Sequence, residues 1–375
     1  MNTSPSAKEH SSTAQAVWFT GERQAELQRE ELPAVRPGEV LVSAVTSLVS
    51  AGTEMNFFRG HVTPSDNVTL PTMRGTVPYP VKYGYQVVGR VAEAGADSGF
   101  AVGDLVFATH PHQDRFVIPV SLVHPVIDGL TPQLAALTNM CAVAYGGLLE
   151  VPVRIGDVVG VSGLGVIGTM AAWLARRTAG RLILIDPLVG RRDRAAWVGA
   201  DAVVHPDDAV AAIAELSDGR GADVYFEASG APNALQTALS ASGAEGRVVV
   251  ISYFGSRAVG LRLSPEFIQR RQRIVSTFTA ELPGELLPRW NKRRKMRVAM
   301  EQLLQLDVTK IVSHRIPFHE AASAYQLIDE HPHESLGVLL EYSAVSIAEQ
   351  NGRPEAMAAP GRSLPAAGQV AAGSF

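Results

Sequence analysis

The segment Asp157–Arg177, DVVGVSGLGVIGTMAAWLARR, decides how the chain is read. Its opening, DVVGVSG, is a short apolar run of the kind a strand buried on both faces requires. GTMAAWLARRT then carries apolar residues at helical spacing. Between the two lies Gly163-Leu164-Gly165-Val166-Ile167-Gly168. A glycine triplet of this spacing is weak evidence alone, because glycine-rich turns are common. Set between a strand and a helix, and followed by RLILID ending in Asp186, it predicts a dinucleotide-binding turn. Gly163 then permits the tight turn, Gly165 lets the backbone approach a pyrophosphate, and Gly168 allows close helix–strand packing. The free N–H groups of the helix start at Val166 and Ile167 face the phosphate oxygens. Asp186, 18 residues past Gly168, would accept hydrogen bonds from the adenosine ribose and repel a 2′-phosphate, so NAD is expected over NADP. Arg191, Arg192 and Arg194 follow closely; Arg191 is a candidate cofactor contact, and a solvated helix face is the plainer alternative.

Outward from this turn the same rhythm continues. RLILID, DAVVHP, ADVYFEAS and GRVVVIS read as strands, with RRDRAAWVG, DDAVAAIAEL and NALQTALSAS as the helices between them. Such alternation means βαβ units and a parallel, doubly wound sheet over residues 147–299. Residues 14–146 differ: valine-rich runs such as EVLVSAV, QVVGRVAEAG and DLVFAT are separated by turns such as RPGE and AVGD, which suggests a barrel or partly open sheet. From Lys292 a helix is expected, with Met296, Met300, Leu303 and Leu304 on one stripe and Arg293, Arg294 and Arg297 off it. A strand, a helix and a final strand follow, and residues 300–342 are expected to return to the first domain. The polar residues 1–13 and the Ala/Gly/Pro-rich residues 343–375 read as disordered tails.

Bulk properties narrow the classes. At 375 residues, two domains are the default. A net charge of -4 gives no general reason to expect nucleic acid or a membrane as partner, and a small-molecule substrate is expected instead. No apolar run approaches the roughly 20 residues that span a bilayer, and no secretion signal is read at the start. The single cysteine, Cys141, excludes an internal disulfide and fits a cytoplasmic location. The basic run RWNKRRKMR, Arg289–Arg297, is read as a solvated helix face, with binding of an anionic substrate as the alternative.

A β-rich domain, a glycine-fingerprint domain and a returning C-terminal segment together resemble the medium-chain dehydrogenase/reductase superfamily. RPGEVLVSAVTSLVSAGTE, GDLVFATHPHQDRFVIP, GLGVIG, DAVVHPDD and GADVYFEASGAPNAL carry the resemblance, from about Ala16 to Tyr342. It implies an α/β protein with a GroES-like β-rich catalytic domain and a Rossmann domain, joined as a dimer or tetramer. SAGTE with YPVKYGYQVVGRV further resembles a subgroup that includes bacteriochlorophyllide a dehydrogenase and enzymes of secondary metabolism. Zinc-dependent members place Cys-Gly-Thr-Asp where this chain has Ala51-Gly52-Thr53-Glu54, and Gly-His-Glu where it has Gly84-Tyr85-Gln86. Their third ligand falls near Thr138 or Asn139. An alanine, a tyrosine and a neutral Thr or Asn do not supply the usual three zinc donors, so a zinc-independent member is expected.

Without a metal, a hydrogen-bond donor or general acid must handle the proton that accompanies hydride transfer. Tyr85, in the place of a zinc ligand, is the first candidate, and Lys82 could lower its ionisation by favouring phenolate. Thr53 matches the hydroxyl residue that relays the alcohol proton in zinc enzymes, and His112 suits acid–base work. Each has a plainer reading: Tyr85 as a pocket wall, His112 as a loop histidine, Lys82 as a surface lysine. His110 and His112 could form a metal pair, although no thiolates accompany them, and Glu54 is read as orienting its loop. The expected activity is interconversion of a secondary alcohol and ketone on a small hydroxylated metabolite. The alternatives are an NADPH-dependent enone or quinone reductase and a non-catalytic NAD(H)-binding protein.

Overall fold

The chain enters as an antiparallel hairpin, β1 (Thr13–Gly21) and β2 (Gln24–Glu31), whose register runs Thr13 opposite Glu31 to Phe19 opposite Ala25. The structure is a computed structural model that describes residues 13–66, 69–255, 257–278 and 281–343. The tails read at 1–13 and 343–375 therefore lie outside the described residues, apart from Thr13, which opens β1, and Ser343. β3 (Glu39–Val49), β4 (Arg74–Gly75), β5 (Val81–Lys82), β6 (Val87–Ala94), β7 (Leu105–Ala108), β8 (Arg115–Pro119) and β9 (Val123–Pro125) complete the β-rich part. β6 shows how sequence becomes packing. Val87, Val88 and Val91 are buried while Arg90 and Glu93 reach solvent, and Gly89 faces β3 so closely that a Cβ would lie 2.4 Å from the Ser43 carbonyl.

A six-stranded sheet follows: β10 (Val158–Ser162), β11 (Arg181–Ile185), β12 (Ala202–Val204), β13 (Ala222–Glu227), β14 (Ser242–Val250) and β15 (Arg273–Ser276). All its pairings are parallel, and the strand order is β12-β11-β10-β13-β14-β15. The order reverses at β10, which places the crevice between the loops after β10 and β13, where ligands of open α/β sheets bind. β10 is buried at all five residues, as a strand covered on both faces must be.

The chain then returns. β16 (Val312–Pro317) pairs with β17 (Gly337–Glu341), and β17 lies antiparallel to β3, Val338 opposite Val49. The seven-stranded sheet reads β16-β17-β3-β6-β7-β9, with β8 also on β3, and β2-β1-β5-β4 forms a smaller sheet. The positions expected as domain limits fall inside helices Thr138–Glu150 and Lys292–Leu303, both continuous across them. One apolar cluster runs through these helices from Leu48, Val88 and Phe107 to Val159, Phe226 and Met296. On the second helix Met296, Met300 and Leu303 are buried as expected, but Leu304 is exposed and Lys295 is buried in its stead. Among the described residues no helix is long and apolar enough to cross a membrane.

Candidate active site

The three glycines of the turn do three different things. Gly163 has φ +85°, and a Cβ on it would lie 2.5 Å from the Ser229 backbone, so the turn closes against the loop after β13. Gly168 lies in helix Val166–Ala175 with its Cα against the Gly163 carbonyl, 1.8 Å from where a Cβ would stand. Gly165 faces open space, with nothing within 4 Å of a Cβ. It opens a ten-residue helix with no side-chain cap, so the first N–H groups, Val166 and Ile167 included, point outward without intrahelical partners. An open helix start of this kind suits an anionic group such as a pyrophosphate.

Asp186 directly follows β11 beside this turn, 2% exposed. Its Oδ2 accepts from Leu164 N at 2.8 Å and its Oδ1 from Leu188 N at 2.8 Å. Each oxygen keeps a second lone pair, so the carboxylate is fixed in place and still able to accept from a diol. The basic residue beside it is Arg192, which donates to the Asp186 and Pro187 carbonyls at 2.6 and 3.0 Å. Arg191 instead donates to the Pro332 carbonyl at 3.1 Å, set about 100° around the helix from Arg192. Arg191, expected as a cofactor contact, is thus engaged with the Pro332 loop. Across the crevice, Glu227 at the end of β13 is fully buried and accepts from Ser229 N (2.8 Å), the Ser229 and Ser252 hydroxyls and Gly230 N. It holds the loop against which Gly163 packs.

The second centre forms between β3, the short helix Thr53–Phe58 and β17. Glu54 is fully buried. Its Oε1 accepts from Ser50 N at 3.2 Å, and its Oε2 accepts from His112 Nε2 at 2.8 Å and Tyr325 OH at 3.1 Å. His112 Nδ1 meets Ser47 Oγ at 2.8 Å, and Ser47 Oγ meets Tyr342 OH at 2.9 Å. Tyr342 donating to Ser47, Ser47 to Nδ1, and Nε2–H to Glu54 satisfies every group, as buried polar atoms require. On the open side Tyr85, partly exposed, donates its hydroxyl to Ser50 Oγ at 2.7 Å, with Thr53, also partly exposed, hydrogen-bonded to the same phenol. Burial, and next the Glu54 carboxylate, push the phenol up to about 12, against the lowering effect of its hydrogen bonds with Ser50 and Thr53.

The structure thus brings Tyr85 and Thr53 together and separates the other two candidates from them. Lys82 donates to Glu30 at 2.5 Å and Gln113 at 3.0 Å and lies 5.8 Å from the Trp18 ring centre. It is buried, held by Glu30 of β2 and by Gln113, and it is not among the groups that shift the Tyr85 phenol. His112 is fully buried behind Glu54 and takes no position facing the crevice. Nor do His110 and His112 pair around a metal. His110 stacks on Phe116 at 3.9 Å and donates to the Pro111 carbonyl, with burial lowering it to about 3. Glu54 does orient its loop, through the Ser50 N–H. Sequence reasoning missed Ser47, Ser50, Tyr325 and Tyr342; the two tyrosines arrive from some 270–300 residues away, and no local pattern marks them.

The side chains that the family resemblance sets at the zinc-ligand positions are not the thiolate, imidazole or carboxylate donors that zinc uses. Ala51 is a methyl group, Tyr85 a phenol held to Ser50, and Thr138 a buried hydroxyl donating to the Ala135 carbonyl. Burial pushes the nearby Cys141 thiol up to about 12, away from the thiolate a metal needs. Among the described residues, the one group of three His, Cys, Asp or Glu donors within 4.8 Å of one another is His331, His333 and Glu334, on the surface.

A 3-2-1-4-5-6 parallel sheet with this glycine turn, joined to a β-rich lobe carrying a hydroxyl cluster, defines the architecture of a nicotinamide-dependent oxidoreductase. The zinc-binding dehydrogenase family model matches residues 166–290. The D-guloside 3-dehydrogenase of Escherichia coli (strain K12) is 30% identical over 263 residues, covering 68% of this chain and 75% of that protein. The 2-desacetyl-2-hydroxyethyl bacteriochlorophyllide A dehydrogenase of Rhodobacter capsulatus is 26% identical, covering 82% and 91%. The chain belongs to the zinc-binding dehydrogenase family of the medium-chain dehydrogenase/reductase superfamily. The crystal structure of 2R,3R-butanediol dehydrogenase from Bacillus subtilis shares the fold, with TM-score 0.73, 18% identity and coverage of 88% of this chain and 99% of that one. Other chains of this fold are solved with NADP or NADH bound.

Proposed function

We propose that this chain is a zinc-independent, NAD-dependent dehydrogenase that interconverts a secondary alcohol and a ketone on a small hydroxylated metabolite. The observation that carries the reading is Tyr85. A phenol kept protonated, beside Thr53 and Ser50, stands where metal-dependent relatives present a ligand. A bound nicotinamide supplies the hydride donor or acceptor at the reacting carbon. The chain supplies the proton. In the reducing direction the Tyr85 O–H donates to the carbonyl oxygen and passes its proton to the alkoxide as that charge develops. Thr53 and Ser50 then stabilise the phenolate until a proton returns. Gly165, Val166, Ile167 and Asp186 would hold the cofactor, and the Asp186 charge favours NAD because a 2′-phosphate would lie against a carboxylate. Similarity to a D-guloside 3-dehydrogenase favours a sugar-like ring among hydroxylated substrates.

The test uses the full chain, stripped of metal with a chelator and assayed with NAD and a panel of glycosides and polyols. Turnover without added zinc is expected, and Tyr85→Phe should lose about 10²-fold or more in kcat while keeping NADH affinity. A strict zinc requirement, or near-normal turnover by Tyr85→Phe, refutes the mechanism.

A further inference from the structure

The loop after helix Ala321–Glu330 carries His331-Pro332-His333-Glu334, which the proposed dehydrogenase mechanism leaves unused. Glu334 Oε1 lies 3.6 Å from His331 Nδ1 and 3.2 Å from His333 Nε2, and the three donor atoms fall within 4.8 Å of one another. Zinc binds imidazole nitrogen and carboxylate oxygen at about 2.0–2.2 Å in tetrahedral geometry, which sets donor atoms about 3.4 Å apart. Both Glu334 distances match that edge. The remaining edge, between the two imidazoles, closes by rotation of exposed side chains. All three residues are about half exposed, leaving a fourth coordination position to water.

The backbone beneath is not a free loop. His331 N donates to Leu327 O, and Glu334 N and Ser335 N both donate to His331 O, so the donors are set on a wound turn. The site caps the C-terminal end of a ten-residue helix, where the partial negative charge favours a cation. The same turn is also seated on the glycine-fingerprint side of the molecule. The Pro332 carbonyl accepts from Arg191 Nη2 at 3.1 Å, and the His333 carbonyl lies 3.2 Å from where a Cβ on Gly190 would stand. Gly190 and Arg191 belong to helix Val189–Ala195, which begins just after Asp186.

We propose that His331, His333 and Glu334 form a surface site for a divalent late first-row cation such as Zn²⁺, and that its occupancy is linked to cofactor binding through Arg191 and Gly190. The donor chemistry, two imidazoles and one carboxylate, selects such a cation over Mg²⁺ or Ca²⁺, which prefer oxygen alone. The first half stands on geometry alone. The second half rests on the reading of Asp186 as the ribose-binding residue. Linkage makes the effect reciprocal: a cation that changes NADH affinity by some factor must have its own affinity changed by NADH by the same factor.

The test is isothermal titration of the metal-stripped full chain with Zn²⁺, with Co²⁺ absorption reporting nitrogen and oxygen ligation. One Zn²⁺ per chain is expected, weakened at least ten-fold by His333→Ala and by Glu334→Gln. His205→Ala, at an exposed His–Asp pair elsewhere, should leave it unchanged. Mg²⁺ should not compete. These variants are at exposed positions, and an unchanged unfolding temperature without metal shows that the fold is kept. Zinc binding of equal strength in wild type and His333→Ala overturns the site. NADH titration with and without Zn²⁺ tests the second half: at least a three-fold change in wild type, absent in His333→Ala, supports the linkage, and identical NADH affinities in the two conditions refute it. Failure of NADH to bind at all would instead count against the cofactor reading and leave the metal result standing.

Discussion

Two glycines in one turn separate folding from cofactor binding. Gly168→Ala would place a Cβ 1.8 Å from the Gly163 carbonyl, against a usual closest approach near 3.0 Å, so the helix must retreat from the turn by about an ångström. Overpacking of this kind costs about 3 kcal/mol, and at roughly 2–4 °C per kcal/mol the unfolding temperature should fall by about 6–12 °C. Gly165→Ala sits three residues away on the same helix start. Its φ of -72° suits any residue, and a Cβ there meets nothing within 4 Å. The unliganded protein should therefore unfold within about 2 °C of wild type, because a surface change without such conflicts stays within about 0.5 kcal/mol. The same methyl group stands where a pyrophosphate must approach the backbone, and NADH affinity should fall at least ten-fold, about 1.4 kcal/mol. Differential scanning fluorimetry without cofactor and NADH fluorescence titration measure the two effects. Wild-type NADH affinity in Gly165→Ala would refute the placement of the cofactor on this turn. An undisturbed melting temperature in Gly168→Ala would refute the packing argument.

Three further outcomes are expected. With the Tyr85 phenol raised to about 12, its proton-donating form persists across the neutral and alkaline range, so ketone reduction should show no Tyr85 inflection between pH 6 and 10. Alcohol oxidation, which needs the phenolate, should keep rising with pH over that interval; a plateau by pH 8 would remove Tyr85 as the base. Burial holds the Lys295 ammonium down at about 8 from its ordinary 10.5, so the unfolded chain binds the extra proton between those values. Stability attributable to this residue then rises with pH from 8 to 10.5, and Lys295→Met should stabilise the protein at pH 7 by at most about 3 kcal/mol, a gain that vanishes above pH 10.5; a destabilised variant at pH 7 would contradict this. Tyr325→Phe removes one of three hydrogen bonds to the buried Glu54 carboxylate and should cost about 2 kcal/mol in urea denaturation, without direct contact to the crevice; an unchanged midpoint would show that the bond contributes nothing.

The parallel sheet was legible because its strands are buried on both faces and its helices repeat at short intervals. Val158–Ser162 and Arg181–Ile185 stand where apolar runs and turns indicated, and Gly163 and Gly168 take the tight turn and the close packing that their spacing implied. β15 escaped notice: Arg273–Ser276 is an edge strand of four residues, none of them buried, and its apolar run is only Ile274-Val275. The site was legible only in part. That Tyr85 and Thr53 lie together was legible because both lie in contiguous motifs. Lys82 and His112 are not brought to Tyr85, and the partners that claim them, Glu30 for Lys82 and Glu54 for His112, are set by tertiary pairing that no local pattern marks. Arg191 and Arg192 differ by one helical step, yet only one reaches Asp186.

The antiparallel seam between Val338 and Val49 also imposes an order on synthesis. The six parallel strands are contiguous from Val158 to Ser276 and are all present before Gly337–Glu341 leaves the ribosome. At about 5–20 residues per second, the 65 residues from Ser276 to Glu341 take roughly 3–13 s. Through that interval the Thr46–Val49 edge of β3 has no strand beside it, although its neighbours on the other side were made long before. An unpaired apolar edge is a template for pairing with another chain. The nascent protein is therefore most prone to aggregation after its nucleotide-binding sheet has formed, and the last strand to emerge is the one that closes this window.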